Sequence, residues 1–441
     1  MRAQDRVDYV ALSSGDRRTV SLLDIIKLYL PLPFITFGGP QAHIAIMLDL
    51  FVVRHRWFSE SVFTEILAIS NALPGPASTQ IAFSIALLKG GPLAGILCFL
   101  IWSVPGAIAM AGIAFAIDHL GANGMPDGAV SIENGLGAVA VALVALAAYR
   151  LGSKILTDRV ETCLAVLSAS FLINFTSVPW LIPTMMAAGG AVTFAAKKRK
   201  DWAGSGAAEV AAHDSKVTEA VLLTTYSART GAMLTALAVV LLAITIPLQT
   251  AQVPLLVQIG ATFYTVGCIV FGGGPVVIPM LYQSVVVRGW MSDAEFLFGL
   301  AIINSMPGPN FNFAAYCGTL AARQSNMVVG SMVAWCGIFL PGLMIKAGVL
   351  SMWQNTRRLP QVQTVFKGFN AVAVGMVFGA VYILWQKAII VAGTSTATAL
   401  GGYPFFVALS AIAFVSVDSL HIPVIIVVAL GAFVGWTHSK L

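Results

Sequence analysis

Charge is scarce in this chain. Only 10% of its 441 residues are Asp, Glu, Lys or Arg, where a soluble globular protein carries about 25%. That shortage excludes an ordinary water-facing fold. Cysteine is also sparse. Cys98, Cys163, Cys268, Cys317 and Cys336 stand singly in apolar segments with no Cys-x-x-Cys or zinc spacing, so they read as small buried hydrophobes and not as metal ligands. The alternating pattern of transmembrane strands is missing, which excludes a β-barrel. No His-Glu-x-x-His, Gly-x-Ser-x-Gly, phosphate loop or dinucleotide fingerprint occurs, so nothing points to an enzyme, a cofactor or a bound metal. The net charge of +6 is modest and no folded basic domain carries it, which argues against nucleic acid as a partner. Residues 1–20 are polar, with Arg2, Arg6, Arg17 and Arg18, and lack the short apolar core of a cleavable signal.

What is present is apolar length. Hydrophobic residues make up 58% of the chain, and long apolar runs recur from Ser21 to Trp436, where about 20 residues cross a ~30 Å hydrocarbon layer. The expected class is an all-α polytopic membrane protein whose partner is the lipid bilayer. Ser21-Leu22-Leu23-Asp24 resembles a capping box opening the first helix. The basic clusters Lys197-Lys198-Arg199-Lys200, Arg17-Arg18 and Arg357-Arg358 favour cytoplasmic loops and anionic headgroups.

Two of the apolar stretches are broken outright. Asn71-Ala72-Leu73-Pro74-Gly75-Pro76 and Asn304-Ser305-Met306-Pro307-Gly308-Pro309 each interrupt a run that would otherwise be helical. Proline removes a backbone donor, clashes with the preceding turn and pushes the residue before it out of the helical region. Phe37-Gly38-Gly39-Pro40 and Phe271-Gly272-Gly273-Gly274-Pro275 break two further runs. Broken backbone survives at membrane depth only where protein or a water-filled cavity satisfies it. Paired breaks in two halves of a chain point to a transporter's binding site.

The breaks belong to an internal duplication. Pro40 answers to Pro275, Arg54 and Trp57 to Arg288 and Trp290, Glu60 and Phe63 to Asp293 and Phe296, and Asn71 to Asn304. Pro105-Gly106 answers to Pro341-Gly342, and Gly135-Leu136-Gly137 to Gly368-Phe369-Asn370. The offset stays between 233 and 236 residues, which chance does not give six times in order.

Loop charges set the relative orientation. The loop 118–133 has Asp118, Asp127 and Glu133 and no Lys or Arg, whereas its counterpart 351–367 has Arg357, Arg358 and Lys367 and no acid. The loop 150–159 carries Arg150, Lys154 and Arg159; its counterpart 386–402 carries only Lys387. Both comparisons change sign, as inverted copies require. The expected domains are a cytoplasmic arm at 1–20, a first repeat at 21–196 and a flexible cytoplasmic linker at 197–228. A single connecting span at 229–248 and a second repeat at 254–441 complete the chain, leaving the C-terminus outside. Each repeat has about six segments, and the segments 25–53 and 60–88 read equally as broken spans or re-entrant hairpins.

A half-helix that starts near the midplane exposes free N–H groups and a positive dipole end, which suits an anion. The candidate substrate-binding residues follow from that. In the first half they are Gly38, Gly39, Pro40, Gln41 and His43 at one break, and Asn71, Pro74, Gly75, Pro76, Ser78, Thr79 and Gln80 at the other. In the second half they are Gly273, Gly274, Pro275, Asn304, Pro307, Gly308, Pro309, Asn310 and Asn312. Asn310 and Asn312 stand where the first half has Ala77 and Thr79. Uncharged donors are expected to suffice, because a charged side chain at the midplane costs at least ~2.5–3.5 kcal/mol and a favourable helix end gives up to ~2 kcal/mol. Arg54 and Arg288 are candidates for steering an anion to the mouth of the path. The same breaks could instead be kinks that let helices pack closely; four of them in duplicated positions favour a site. His43 has no histidine counterpart, Ile278 being nearest. Asp49 and Glu65 fit either an intramembrane role or a helix end in water. Lys346 is expected to snorkel from the end of its span, and the Met and Trp spacing to mark ordinary lipid or core faces.

Taken together, Phe37-Gly38-Gly39-Pro40-Gln41-Ala42-His43-Ile44, Arg54-His55-Arg56-Trp57 and Leu73-Pro74-Gly75-Pro76-Ala77-Ser78-Thr79-Gln80 resemble the signature of the chromate ion transporter family in its long, two-domain form. The resemblance covers about residues 21–196 and 254–440. It implies a plasma (inner) membrane carrier that exports chromate and confers resistance to it, with sulfate as competitor. Asp49 stands where the resemblance leads one to expect a glutamate. A passive anion channel, a sulfate uptake carrier and a non-transporting scaffold or sensor stay open as alternatives, as does assembly into a homo-oligomer.

Overall fold

A computed structural model describes residues 20–36, 39–122, 127–175, 181–202, 226–270, 276–356, 360–390 and 397–438. Gly38, Gly273, Gly274 and Pro275 among the expected site residues lie outside them, as do most of the N-terminal arm and of the linker.

The regular structure among the described residues is helical apart from a two-residue strand pair, Ile389–Ile390 with Ala397–Thr398. Helices long and apolar enough to span a membrane include Val130–Ser153, Ala228–Leu248, Met327–Met352 and Lys367–Trp385. A fifth, Ala77–His119, is two helices joined at a kink. Gly91 makes that kink at φ +79°, followed by Pro92. The protein is an all-α, multi-pass membrane protein.

Several unusual features of the first half recur in the second. Asp49–Arg54 winds as a wide π-helical turn, and so does Tyr282–Val286. Ser59 caps α4 (Glu60–Ala72) by accepting from the Val62 N–H, and Ser292 caps α12 (Asp293–Ser305) in a full capping box with Glu295. Both helices then stop at a proline-enforced extended residue, Leu73 at ψ 155° and Met306 at ψ 151°. Gly75 and Gly308 follow with φ +109° and +89°, a left-handed geometry that glycine adopts without the Cβ penalty. The chain resumes as α5 (Ala77–Ala122) and, through a 3-10 turn at Asn310–Asn312, as α13 (Phe313–Ala321).

The two halves grip each other by exchange. α6 (Asp127–Ile155) packs on α16 (Pro404–Asp418) and α17 (Val424–His438), while α15 (Pro360–Trp385) packs on α7 (Arg159–Asn174) and α8 (Leu181–Trp202). Small residues make both crossings close. A Cβ on Gly135 would stand 2.2 Å from the Gly431 carbonyl oxygen, and one on Gly368 would stand 2.1 Å from that of Gly189. α9 (Ala228–Leu248) joins the halves and lies against α14 (Met327–Thr356).

Three expectations need correction. Ser21 precedes the first helix, α1 (Leu22–Tyr29), but its side chain makes no capping bond. The basic cluster Lys197–Lys200 is not flexible linker, because α8 runs on to Trp202; alanine, lysine and arginine are good helix formers. Lys346 does not snorkel. It is fully buried on α14, where its ammonium donates to the Ile66 carbonyl at 3.1 Å and to Ser70 Oγ at 2.7 Å.

Candidate functional site

Each proline-glycine break bonds to the opposite half. Gly75 N–H donates to the Val270 carbonyl at 2.7 Å and Gly308 N–H to the Thr36 carbonyl at 3.1 Å. Val270 and Thr36 are matching residues, each immediately before the Phe-Gly-Gly run of its own half. Each break is thus anchored on the opposite half, and Leu73–Gln80, Gly308 and Pro309 are buried. A Cβ on Gly342 would stand 3.3 Å from the Gly75 Cα, and one on Gly106 would stand 2.4 Å from Asn312 Nδ2. The duplicated Pro-Gly pairs on α5 and α14 therefore press against the breaks of the opposite half.

Donors are left over where the helices resume. The N–H groups of Ala77, Ser78 and Thr79, and those of Asn310 and Phe311, have no backbone acceptor among the described residues. Buried N–H groups without partners are rare, and at a helix start they favour an anion. Asn312 adds a side-chain donor. It is fully buried, and its Oδ1 accepts from Ser103 Oγ at 2.7 Å and from Trp335 Nε1 at 3.1 Å. An indole N–H only donates, so this bond fixes the amide with Nδ2 pointing away, and Nδ2 has no partner among the described residues.

The first half arranges its equivalent positions differently. Thr79 accepts from Trp102 Nε1 at 3.3 Å. Ser78 Oγ lies 3.3 Å from His43 Nδ1, and His43 Nε2 lies 3.0 Å from the Thr36 carbonyl. His43, on α3 (Gly39–Leu48), therefore ties the first break to the same carbonyl that holds Gly308, and its ring meets Trp102 edge-on at 5.3 Å. Gln80 was expected to offer its amide to a ligand. Instead its Nε2 donates to the Pro74 carbonyl at 2.5 Å and the Gly342 carbonyl at 3.3 Å, bracing the break and leaving Oε1 without a partner among the described residues.

Other expected residues sit at the margins. Asn71 is exposed, whereas Asn304 and Asn310 are half-buried and line a cavity of about 30 Å³ with Leu143, Ile278 and Phe313. That is room for about one water. Pro40 is half-buried, and Gln41 is helical backbone whose side chain lies outside the described set. Arg54 is exposed and pairs with Asp49 at 2.7 Å. Arg288 lies on neutral partners, 3.0 Å from Thr262 Oγ1 and 2.9 Å from Gln249 Oε1, over the Trp290 ring. Burial lowers its pKa from the ordinary arginine value.

Residues 23–194 and 257–436 match the model of the chromate transporter family. The chain belongs to that family. Its members are transporters and not enzymes, and they work on a small anion across a bilayer. The chain is 28% identical to a chromate transport protein of Pseudomonas aeruginosa, over 73% of this chain and 71% of that one. It is 26% identical to a chromate transport protein of Cupriavidus metallidurans, over 84% of each. A probable chromate transport protein of Synechococcus elongatus is 26% identical over 84% of this chain and 86% of its own length. No solved structure matches. Sequence reasoning missed Trp102, Ser103, Trp335 and Lys346 at this transporter's breaks. The one signal it held was that both tryptophans lie 233 residues apart, at the offset of the breaks.

Proposed function

We propose that this transporter is a secondary carrier that exports chromate and thereby confers chromate resistance, with sulfate competing as a tetrahedral dianion of the same shape. The observation that carries the reading is that each break is anchored on the opposite half and that, where the helices resume, the N–H groups of Ser78, Thr79, Asn310 and Phe311 have no backbone acceptor among the described residues. Such donors bind an oxyanion without a carboxylate having to leave first, and several helix ends at up to ~2 kcal/mol each hold it reversibly.

The halves are proposed to be inverted copies, residues 21–196 and 254–441, related by a two-fold axis in the membrane plane. The opposite charge of their matching loops and the single connecting helix Ala228–Leu248 support this. A cavity of about 30 Å³ beside Asn304 and Asn310 favours a carrier that must rearrange over an open channel. Labelled chromate flux in everted vesicles, with and without an imposed potential, tests the reading. Saturable accumulation, stimulated by counter-transport and inhibited by sulfate, is expected. Single-channel currents, or no flux at all, would overturn it.

A further inference from the structure

A buried lysine stands beside the first break. Lys346 is fully buried, and among the described residues its ammonium meets only neutral oxygens, those of Ile66 and Ser70. Among the described residues no carboxylate pairs with it. An ammonium has three donors, and two of them are engaged. Charge held in a bilayer without a counter-ion is unfavourable, and the interior gives it back only when a charge of opposite sign arrives with good geometry.

Its position links it to the anion path. Lys346 lies one turn beyond Gly342 on the same face of α14, and Gly342 is the residue that touches Gly75. Helical side chains lean towards the N-terminus of their helix, here towards Gly342 and the break. Ser70 lies on the last turn of α4, just before Leu73 and Pro74. The duplication offers no equivalent. At the offsets of the Pro-Gly pairs and of the breaks, Lys346 corresponds to Met110, and Ser70 and Ile66 correspond to Ile303 and Gly299. The matching positions in the other half carry no polar side chain, so a purely architectural need for this lysine is not shared by the fold's own second copy.

We propose that Lys346 is the counter-charge of the transported ion, the group by which this site prefers a tetrahedral dianion to a monoanion of the same shape. The proposal rests on the reading of the breaks as an oxyanion site. The Ile66 and Ser70 oxygens share the ammonium charge while the site is empty, which tempers the grip on a bound dianion and lets it leave.

The test uses the purified full-length protein in detergent at pH 8, with chromate as dianion and perchlorate as tetrahedral monoanion, measured by equilibrium binding. The wild type is expected to bind chromate at least about tenfold more tightly than perchlorate. Lys346→Met should remove that preference while leaving perchlorate binding within about twofold. Ser70→Asp gives the lysine a permanent partner. It should stay folded, with an unchanged or raised melting temperature, and lose chromate binding. If Lys346 were only a strut, Ser70→Asp would keep chromate binding, and that result overturns the proposal. Equal wild-type affinities for the two anions overturn it without any variant. No binding of either anion by the wild type would instead sink the oxyanion-site reading itself.

Discussion

The backbone N–H of Gly75 donates to the carbonyl of Val270, 195 residues away, at 2.7 Å. Its mirror bond, from Gly308 to Thr36, shows that each half supplies the anchor for the other's interrupted helix. The two glycines are not equally tolerant. A Cβ on Gly75 would lie 2.8 Å from Gln80 Nε2 and 3.1 Å from the Gly342 Cα, whereas one on Gly308 would meet nothing closer than 3.7 Å. Both substitutions carry the left-handed penalty of about 1–2 kcal/mol; only Gly75→Ala also forces neighbours apart. We expect Gly308→Ala to lower the melting temperature slightly and keep most chromate flux, and Gly75→Ala to lose most of it. Equal effects in vesicle flux assays would contradict this ranking.

His43 links Ser78 of the first break to the Thr36 carbonyl, which also accepts from Gly308 of the second half. Removing the ring in His43→Ala leaves buried polar groups short of partners, at about 1–3 kcal/mol for each. His43→Gln keeps a donor within reach of the Thr36 carbonyl. Thermal unfolding in detergent should rank wild type above Gln above Ala, with chromate flux in the same order. An alanine variant as stable and active as wild type would remove His43 from the site.

The two arginines offered for steering now separate. Arg54 is exposed and neutralised by Asp49 at 2.7 Å, and exposed pairs of this kind contribute about 0–1 kcal/mol. Among the described residues Arg288 has only neutral hydrogen-bond partners, in Gln249 and Thr262, and no carboxylate pairs with it. Arg288→Gln should reduce the rate of chromate entry, most at low ionic strength, while Arg54→Gln should change it little. The salt dependence of initial flux measures this, and a larger effect from Arg54 would reverse the assignment.

How much of this could be read in the sequence depends on where a signal lies along the chain. Pro74-Gly75-Pro76 and its copy announce themselves, because proline and glycine act on their own backbone and their neighbours'. Ser59 and Ser292, the π-helical turns and the facing Pro-Gly pairs all fall at the spacing of that duplication. Contacts between distant segments leave no such mark. Nothing in the run around Lys346 says that it ends against Ser70 and not in the headgroups, and nothing around Gln80 says that its amide turns back to Pro74. Trp102 and Trp335 resemble any other membrane tryptophan until Thr79 and Asn312 are placed beside them.

Arg323 closes one end of the bundle, bonded to Asp118 of the first half at 2.5 Å and to Glu295 of the second. Arg323→Gln would leave two partly buried carboxylates facing each other without the guanidinium between them. A double-mutant cycle with Glu295→Gln should give a coupling of roughly 1 kcal/mol in thermal stability. Zero coupling would show that the clamp is not formed in the membrane protein.

In the proposed carrier, two breaks make one anion site. Counting bound chromate per purified chain tests this most directly, for wild type, for Ser78→Ala with Thr79→Val, and for Asn310→Ala with Asn312→Ala. One ion per wild-type chain, lost in either double variant, is the predicted result. Two ions per chain, each abolished by damage to only one break, would contradict it.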